Sequence, residues 1–266
     1  MSKVKCLCNV RESVMLAPGV FSLWIDAPEI AESAVPGQFV SIYTKSEARL
    51  LPRPISICEI NRGEKTMRFV YRVVGEGTEE FSKLSSGDKI EVLGPLGNGF
   101  PIPEKKAILI GGGIGIPPML ALAKACKERP TVVLGYRDAT LFLKEEFDKV
   151  ADVVVATDDG SVGTHGTVID AMKEKNLTAD VICACGPMPM LRGVKAYGLE
   201  NEIETYVSME ERMACGIGAC LGCVCQSTEV DSHSNVHNKR VCKDGPVFLS
   251  TEVELYRWIT AWGAPL

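Results

Sequence analysis

The stretch Lys106-Ala107-Ile108-Leu109-Ile110-Gly111-Gly112-Gly113-Ile114-Gly115-Ile116-Pro117-Pro118 decides the fold. An apolar run ends in a glycine turn, and two prolines then open a helix. Strands buried on both faces read as continuous apolar runs. Proline suits a first helical turn, where its missing N–H has no partner to lose. The pattern recurs downstream: further strands are expected over 131–136, 153–157, 180–184 and 203–207, and helices over 118–126, 141–150, 167–175 and 187–196. Such alternation implies a parallel sheet wound by right-handed crossovers.

A glycine-rich strand-to-helix turn lets a diphosphate or a nicotinamide come close to backbone N–H groups. Gly111, Gly112, Gly113 and Gly115 are the candidates. The turn departs from a strict G-x-G-x-x-G, since its sixth position is Ile116, and a tight packing turn uses the same letters. Cys185-Gly186-Pro187-Met188, at the end of the fourth strand, favours the ligand reading. Ligands in these sheets sit beyond the carboxyl ends of the strands, and both motifs fall there. Arg137-Asp138 and Asp158-Asp159 follow the second and third strands. Arg137 suits a 2′-phosphate, but its acidic neighbours favour NAD over NADP.

Upstream, short apolar runs alternate with turns. Strands are expected over 20–25, 38–43, 54–60, 66–74 and 89–93, punctuated by Pro18-Gly19, Pro36-Gly37, Arg62-Gly63 and Ser86-Gly87-Asp88. This density of strands predicts a barrel or sandwich, with one helix over 78–84 and an end at Gly94-Pro95-Leu96-Gly97-Asn98-Gly99-Phe100-Pro101. Two features here suit a diphosphate. Arg53-Pro54-Ile55-Ser56 holds a guanidinium beside a rigid proline. Gly75-Glu76-Gly77-Thr78 opens a helix, whose first N–H groups favour an anion. Each alone is commonplace, a turn and an N-cap; together they describe a clamp.

Downstream lies Met213-Ala214-Cys215-Gly216-Ile217-Gly218-Ala219-Cys220-Leu221-Gly222-Cys223-Val224-Cys225, with Cys242 beyond a polar loop. The spacing C-x4-C-x2-C…C is that of plant-type [2Fe–2S] sites. Glycine supplies the positive φ angles and inward N–H groups that such a loop needs. Cys215, Cys220, Cys223 and Cys242 are taken as ligands and Cys225 as a bystander. Structural zinc competes, but only one C-x2-C pair is present. His233 and His237 admit a Rieske-type variant. Disulfides fit poorly with 11 cysteines, an odd count, and no signal peptide. Cys6, Cys58 and Cys126 suit buried apolar positions.

The 266 residues suffice for two domains and an appendage, and 46% hydrophobic with 24% charged residues is a globular balance. A net charge of −5 gives no reason to expect nucleic acid or an anionic membrane. The longest uncharged run, 107–123, is broken by glycine and proline and does not read as a membrane span. The expected compartment is a reducing cytoplasm. Trp258 and Trp262 in the apolar tail are core or interface anchors.

Arg53-Pro54-Ile55-Ser56 followed by Val70-Tyr71-Arg72 and Gly75-Glu76-Gly77-Thr78 resembles the flavin domain of the ferredoxin–NADP reductase superfamily. The resemblance implies FAD, with Arg53 on the pyrophosphate, Ser56 near flavin N5, and Gly77 and Thr78 on phosphate. Ile55 stands where the family motif has an aromatic, so Tyr71 or Tyr43 is expected to stack on the flavin. The glycine turn and Cys185-Gly186-Pro187 resemble the superfamily's nicotinamide domain, which makes Cys185 a positioning residue and not a nucleophile.

With Glu210-Glu211-Arg212-Met213 before the cysteines and Val241-Cys242-Lys243-Asp244-Gly245-Pro246 after them, the whole chain is similar to the electron-transfer subunits of type B dihydroorotate dehydrogenases. That resemblance implies an antiparallel FAD-binding β-barrel (1–100), a Rossmann-like α/β NAD domain (101–208) and a small [2Fe–2S] subdomain (209–266). It also implies an FMN-bearing catalytic partner, in a heterotetramer of two of each, that oxidises dihydroorotate in pyrimidine synthesis. Electrons would pass from FMN through the cluster and FAD to NAD⁺. The flavin and iron–sulfur subunit of an NADH-dependent ferredoxin–NADP oxidoreductase or sulfide dehydrogenase shares the layout. A zinc-stapled redox regulator is the non-enzymatic alternative.

Overall fold

The computed structural model describes residues 3–46, 48–231 and 235–255. Trp258, Trp262 and His233 lie outside the described residues.

The first part is a closed antiparallel barrel of β1 (Val4–Ala17), β2 (Val20–Asp26), β3 (Phe39–Ile42), β4 (Arg53–Asn61), β5 (Thr66–Arg72) and β6 (Lys89–Leu96), in the order β1-β2-β5-β4-β3-β6. Closure depends on β1. Its first half, Val4 to Asn9, pairs with β6, and its second half, Val10 to Ala17, pairs with β2. Inward residues such as Leu23, Ile25, Ile57, Met67 and Phe69 are wholly buried and fill the interior. Two short helices, α1 (Pro28–Ser33) and α2 (Glu76–Ser82), cap the loops. The sequence reading omits β1 and α1 and starts α2 two residues late. Gly94-Pro95 does not end the last strand, which runs through it to Leu96.

The second part is a seven-stranded sheet. Its elements are β7 (Ala107–Gly112), α3 (Ile116–Ala125), β8 (Thr131–Tyr136), α4 (Lys144–Asp148), β9 (Asp152–Thr157), β10 (Thr164–His165), α5 (Val168–Glu174), β11 (Val181–Cys185), α6 (Met188–Glu200) and β12 (Glu204–Ser208). The order is β10-β9-β8-β7-β11-β12, all parallel. The chain winds outward from β7 to β9 and returns to β11, so the direction of winding reverses between β7 and β11. Crevices at such reversals are where α/β sheets bind ligands.

Helix α3 explains how barrel and sheet stay together. Residues 116–123 are all buried, as expected of a helix covered on every side. It lies on β7 and also against barrel strand β4, and one apolar core runs from Val20, Cys58 and Val70 of the barrel through Met119 of α3 to Leu109 and Leu134 of the sheet. Beside this core the Arg68 guanidinium is buried. It donates to Glu59 of the barrel at 2.7 Å, to Glu146 of α4 at 2.6 Å and to the Ser22 hydroxyl at 2.8 Å. Lys124 of α3 also bonds Glu59. Charges this far from water are tolerated only when paired, so Arg68 fixes α4 against the barrel.

The last part holds a small hairpin, β13 (Val224–Gln226) with β14 (Asn238–Arg240), and then β15 (Val247–Leu249). Strand β15 joins the large sheet antiparallel to β12. The sheet therefore takes its outer strand from beyond residue 208.

Candidate functional site

A cleft of 760 Å³ opens at the winding reversal, between the β7 and β11 ends and the barrel. Its floor is Gly112, Gly113, Gly115, Gly186 and Pro187; Pro18, Val20 and Arg72 of the barrel face them. Tyr136, Arg137, Asp138 and Asp158 carry the wall outward. Of the groups read as choosing between NAD and NADP, Arg137, Asp138 and Asp158 thus line the same cleft as the glycine turn, and Asp159 does not.

The four glycines divide their work. A side chain on Gly115 would run into the Cys185 carbonyl, one on Gly112 into the Met190 sulfur, and one on Gly111 would come to 2.9 Å from the Ile116 α-carbon. These three let the turn pack on the β11 end and on α6. Gly113, at φ +53°, has nothing within 4 Å of a side-chain position. It is the glycine open to the cleft. Cys185 is buried beneath the floor instead of lining it. Burial first, and then the charge of Glu210, pushes its thiol well above the ordinary range. A neutral, enclosed thiol is no nucleophile. Glu210, just past β12, lines the cleft as well, and enclosure by the surrounding protein raises its carboxyl pKa. The sequence reading assigns it no role, because nothing local distinguishes it from Glu211.

On the barrel, Arg53 opens β4, and its Nη1 donates to the Leu51 carbonyl at 2.5 Å. Its guanidinium lies over Gly77 so closely that a side chain there would meet Nε at 2.5 Å. The two halves of the sequence clamp are therefore in contact. Arg53, Pro54, Ile55 and Ser56 are all half-buried along β4, leaving a partly apolar strip beside the guanidinium. An apolar strip next to a cation and the first N–H groups of α2 is a donor set that fits a flavin diphosphate. The Thr78 hydroxyl is engaged locally. It donates to the Gly75 carbonyl at 2.9 Å and accepts from the Val74 N–H at 3.0 Å, so it shapes the turn. Tyr71, a candidate for the stacking ring, is turned into the barrel. It is buried in the barrel, against Phe21 and edge-on to Phe81, because alternation along β5 turns it inward. Val70 and Arg72 take the other face: Val70 joins the shared core and Arg72 lines the cleft. The Tyr43 ring carries the Lys5 ammonium at 4.4 Å.

The four cysteines gather in neighbouring segments, Cys215 and Cys220 on the glycine loop and Cys223 against Cys242. Among the described residues no three His, Cys, Asp or Glu side chains form a shell for a single ion. Four cysteines on a glycine-rich loop and the segment against it are a donor set that fits a [2Fe–2S] centre. Backbone N–H groups point at sulfur: Ala219 at Cys215 (3.3 Å), Gly222 at Cys220 (3.4 Å) and Cys242 at Cys223 (3.4 Å). Gly216 and Gly218, at φ +67° and +89°, make that wrapping possible. The Cys215 thiol is brought down to about 6: burial opposes this, and the Ile217 and Cys220 N–H groups outweigh it. Cys223 is brought down to about 6 and Cys242 is raised, each chiefly through the other, as adjacent sulfurs share a proton that metal binding would release. Burial pushes the Cys225 thiol up to about 12. What sets Cys225 apart from the four is its place within β13, past the glycine loop. His237 is exposed on the loop before β14.

A barrel with an arginine clamp, a cleft at the winding reversal and a four-thiol loop define a reductase of the ferredoxin-reductase fold with an appended iron–sulfur segment. The profile of the iron–sulfur cluster binding domain of dihydroorotate dehydrogenase B matches residues 210–254. The dihydroorotate dehydrogenase B (NAD(+)) electron transfer subunit of Fusobacterium nucleatum is 42% identical over 93% of this chain and 98% of its own length. That of Listeria monocytogenes is 44% identical, with the same shares covered. The chain belongs to this family of electron-transfer subunits. The solved NADH-dependent reduced ferredoxin–NADP oxidoreductase, described in terms of flavin-based electron bifurcation, superposes with a TM-score of 0.84 at 32% identity, over 94% of this chain and 90% of that one. A ferredoxin NADP⁺ reductase from Neisseria gonorrhoeae shares the fold at a TM-score of 0.61 and 17% identity, over 74% of this chain and 91% of that one.

Two substitutions separate these roles. Gly115→Ala drives a methyl group into the Cys185 backbone, and overpacking of this kind costs about 1–3 kcal/mol; denaturant unfolding is expected to show that loss together with a raised KM for NADH. Serine at 215, 220, 223 or 242 is expected to strip iron and sulfide from the purified protein, whereas Cys225→Ser retains both. Loss of iron from Cys225→Ser would contradict the ligand set.

Proposed function

We propose that this chain carries electrons between NAD⁺ and the FMN of a dihydroorotate dehydrogenase catalytic subunit, in pyrimidine synthesis. One observation carries the reading: the cysteine loop is packed on the barrel. A side chain on Gly216 would lie 2.9 Å from the Ser41 hydroxyl of β3 and 3.3 Å from Leu96 of β6. Strand β3 pairs in turn with β4, where Arg53 and Ser56 lie. Loop, flavin clamp and nicotinamide cleft thus share one frame.

Bound FAD supplies the exchange between a hydride and the single electrons that a [2Fe–2S] centre carries. Arg53 and the first N–H groups of α2 hold its diphosphate. Ile55 gives an apolar surface, and Ser56 offers a hydroxyl to the ring. Thr78 keeps the Val74–Gly77 turn in shape. Gly113 lets the nicotinamide reach the cleft floor, and buried Cys185 sets the floor's height from below. Asp138 and Asp158, which line the outer wall of the cleft, would meet a ribose 2′-hydroxyl and favour NAD over a 2′-phosphate. Cys215, Cys220, Cys223 and Cys242 hold the cluster.

The partner is a catalytic subunit bearing FMN, in a heterotetramer of two of each, in the cytoplasm. Among the described residues no helix is long and apolar enough to cross a membrane. The test is assembly with a candidate FMN subunit and assay of NAD⁺ reduction by dihydroorotate. Activity in the complex and not in either part is the expected result. A complex that reduces dyes with NADH but never turns over dihydroorotate would overturn the substrate, and ferredoxin- or NADP-linked activity would take its place.

A further inference from the structure

Arg240 is the last residue of β14, two residues before Cys242. Its side chain is half-buried and forks onto one carboxylate. Nε donates to Asp244 Oδ2 at 3.0 Å and Nη2 to Asp244 Oδ1 at 3.3 Å. The Arg240 backbone N–H also donates to Asp244 Oδ2, at 2.8 Å. The remaining arm reaches across the segment, and Nη1 donates to the Gly218 carbonyl at 3.3 Å. Gly218 lies between Cys215 and Cys220 in the glycine loop. A side chain there would meet Lys243 Cδ at 2.7 Å, so the Cys242 segment is laid directly on the loop. Backbone bonds join the same two pieces: Val241 N–H to the Cys223 carbonyl at 2.9 Å, and Cys242 N–H to the Cys223 sulfur.

None of this is needed merely to end a hairpin. The guanidinium spans the gap between three ligands on one loop and the fourth on another. It does so with a charge fixed by Asp244, on a planar fork that lysine cannot reproduce. Reduction of a [2Fe–2S] centre adds one negative charge. The potential of such a centre follows net charge and hydrogen bonding around its sulfurs. A fixed cation and a fixed anion beside it act on that added charge with opposite sign.

We propose that Arg240 and Asp244 position the iron–sulfur centre as a charge pair: Arg240 clamps the fourth-ligand segment to the glycine loop and favours the reduced state, and Asp244 holds it there while offsetting its charge. This rests on the iron–sulfur reading of the four cysteines. Both are positioning residues, since they act through the loop and the field and not by contact with iron.

The test is a redox titration of the full-length chain in complex with its FMN subunit, followed by electron paramagnetic resonance, with iron and sulfide measured in each sample. Arg240→Gln leaves Asp244 uncompensated and is expected to shift the cluster potential negative. Asp244→Asn leaves the guanidinium uncompensated and is expected to shift it positive. The double variant is expected to return towards the wild-type potential. A side chain that only stabilised the loop would lower cluster occupancy in both single variants with no opposed shifts. Fully loaded variants with unmoved or same-sign potentials overturn the proposal. If Arg240→Gln assembles no cluster, Asp244→Asn decides by the sign of its shift. A wild-type complex lacking iron and sulfide would instead sink the cluster reading itself, and the proposal with it.

Discussion

The segment from Lys243 to Leu249 holds the three parts of this protein together. Strand β15 pairs with β12 through Val247, Phe248 and Leu249, and the Met209 N–H bonds the Pro246 carbonyl at 2.9 Å. On its other side, the Asn98 N–H meets the Gly245 carbonyl at 2.6 Å, and the Asn98 side chain donates to the Asp244 carbonyl at 3.0 Å. Gly97 gives the contact room, since a side chain there would come to 2.5 Å from Pro246. The barrel end, the sheet edge and the fourth cysteine are thus tied by backbone hydrogen bonds within seven residues. Buried backbone groups must find such partners, so the arrangement cannot loosen at one contact alone.

This explains why the cysteine segment is no detached appendage. Its hydrophobic residues, among them Val241, Phe248, Val253 and Leu255, belong to the same core as Ile110, Ala184 and Val207 of the sheet. The barrel side is held by the second shared core and by Arg68, whose removal would leave Glu59 and Glu146 facing a gap in their pairing. Electron transfer is served by this economy, because a flavin, a nicotinamide and a cluster must keep fixed spacing through each turnover. The flavin clamp and the cleft sit on strands or strand ends, where position is defined by pairing, and the thiol loop is held by its contacts with β3, β6 and the Cys242 segment.

Much of this was legible in the sequence, for stated reasons. The change of period near residue 106 gave the wound sheet, since continuous apolar strands and proline-opened helices leave few alternatives. The cysteine spacing points to a ligand set, and the structure brings Cys242 against Cys223 beside the glycine loop. Strand β1 was missed because it serves two neighbours. Its exposed Leu7 and Met15 blur the alternation that marks a half-buried strand. Strand β15 is three residues long and follows a Gly-Pro, which reads as a turn; only the edge of β12 makes it a strand. The motif around Tyr71 is legible, but the direction of its ring is not, because strand register alone turns it into the barrel. Glu210 carries no local signal, and enclosure in the cleft becomes visible only once barrel and sheet meet.

The central claim is that one rigid frame connects the nicotinamide cleft to the four-thiolate loop by way of the barrel. Anaerobic titration of the purified protein with NADH, following flavin absorbance and the paramagnetic signal of the reduced cluster together, tests it most directly. The account predicts that flavin bleaching is accompanied by a cluster signal approaching one spin per chain. A flavin that bleaches fully while a cluster of proven iron and sulfide content stays silent would contradict it.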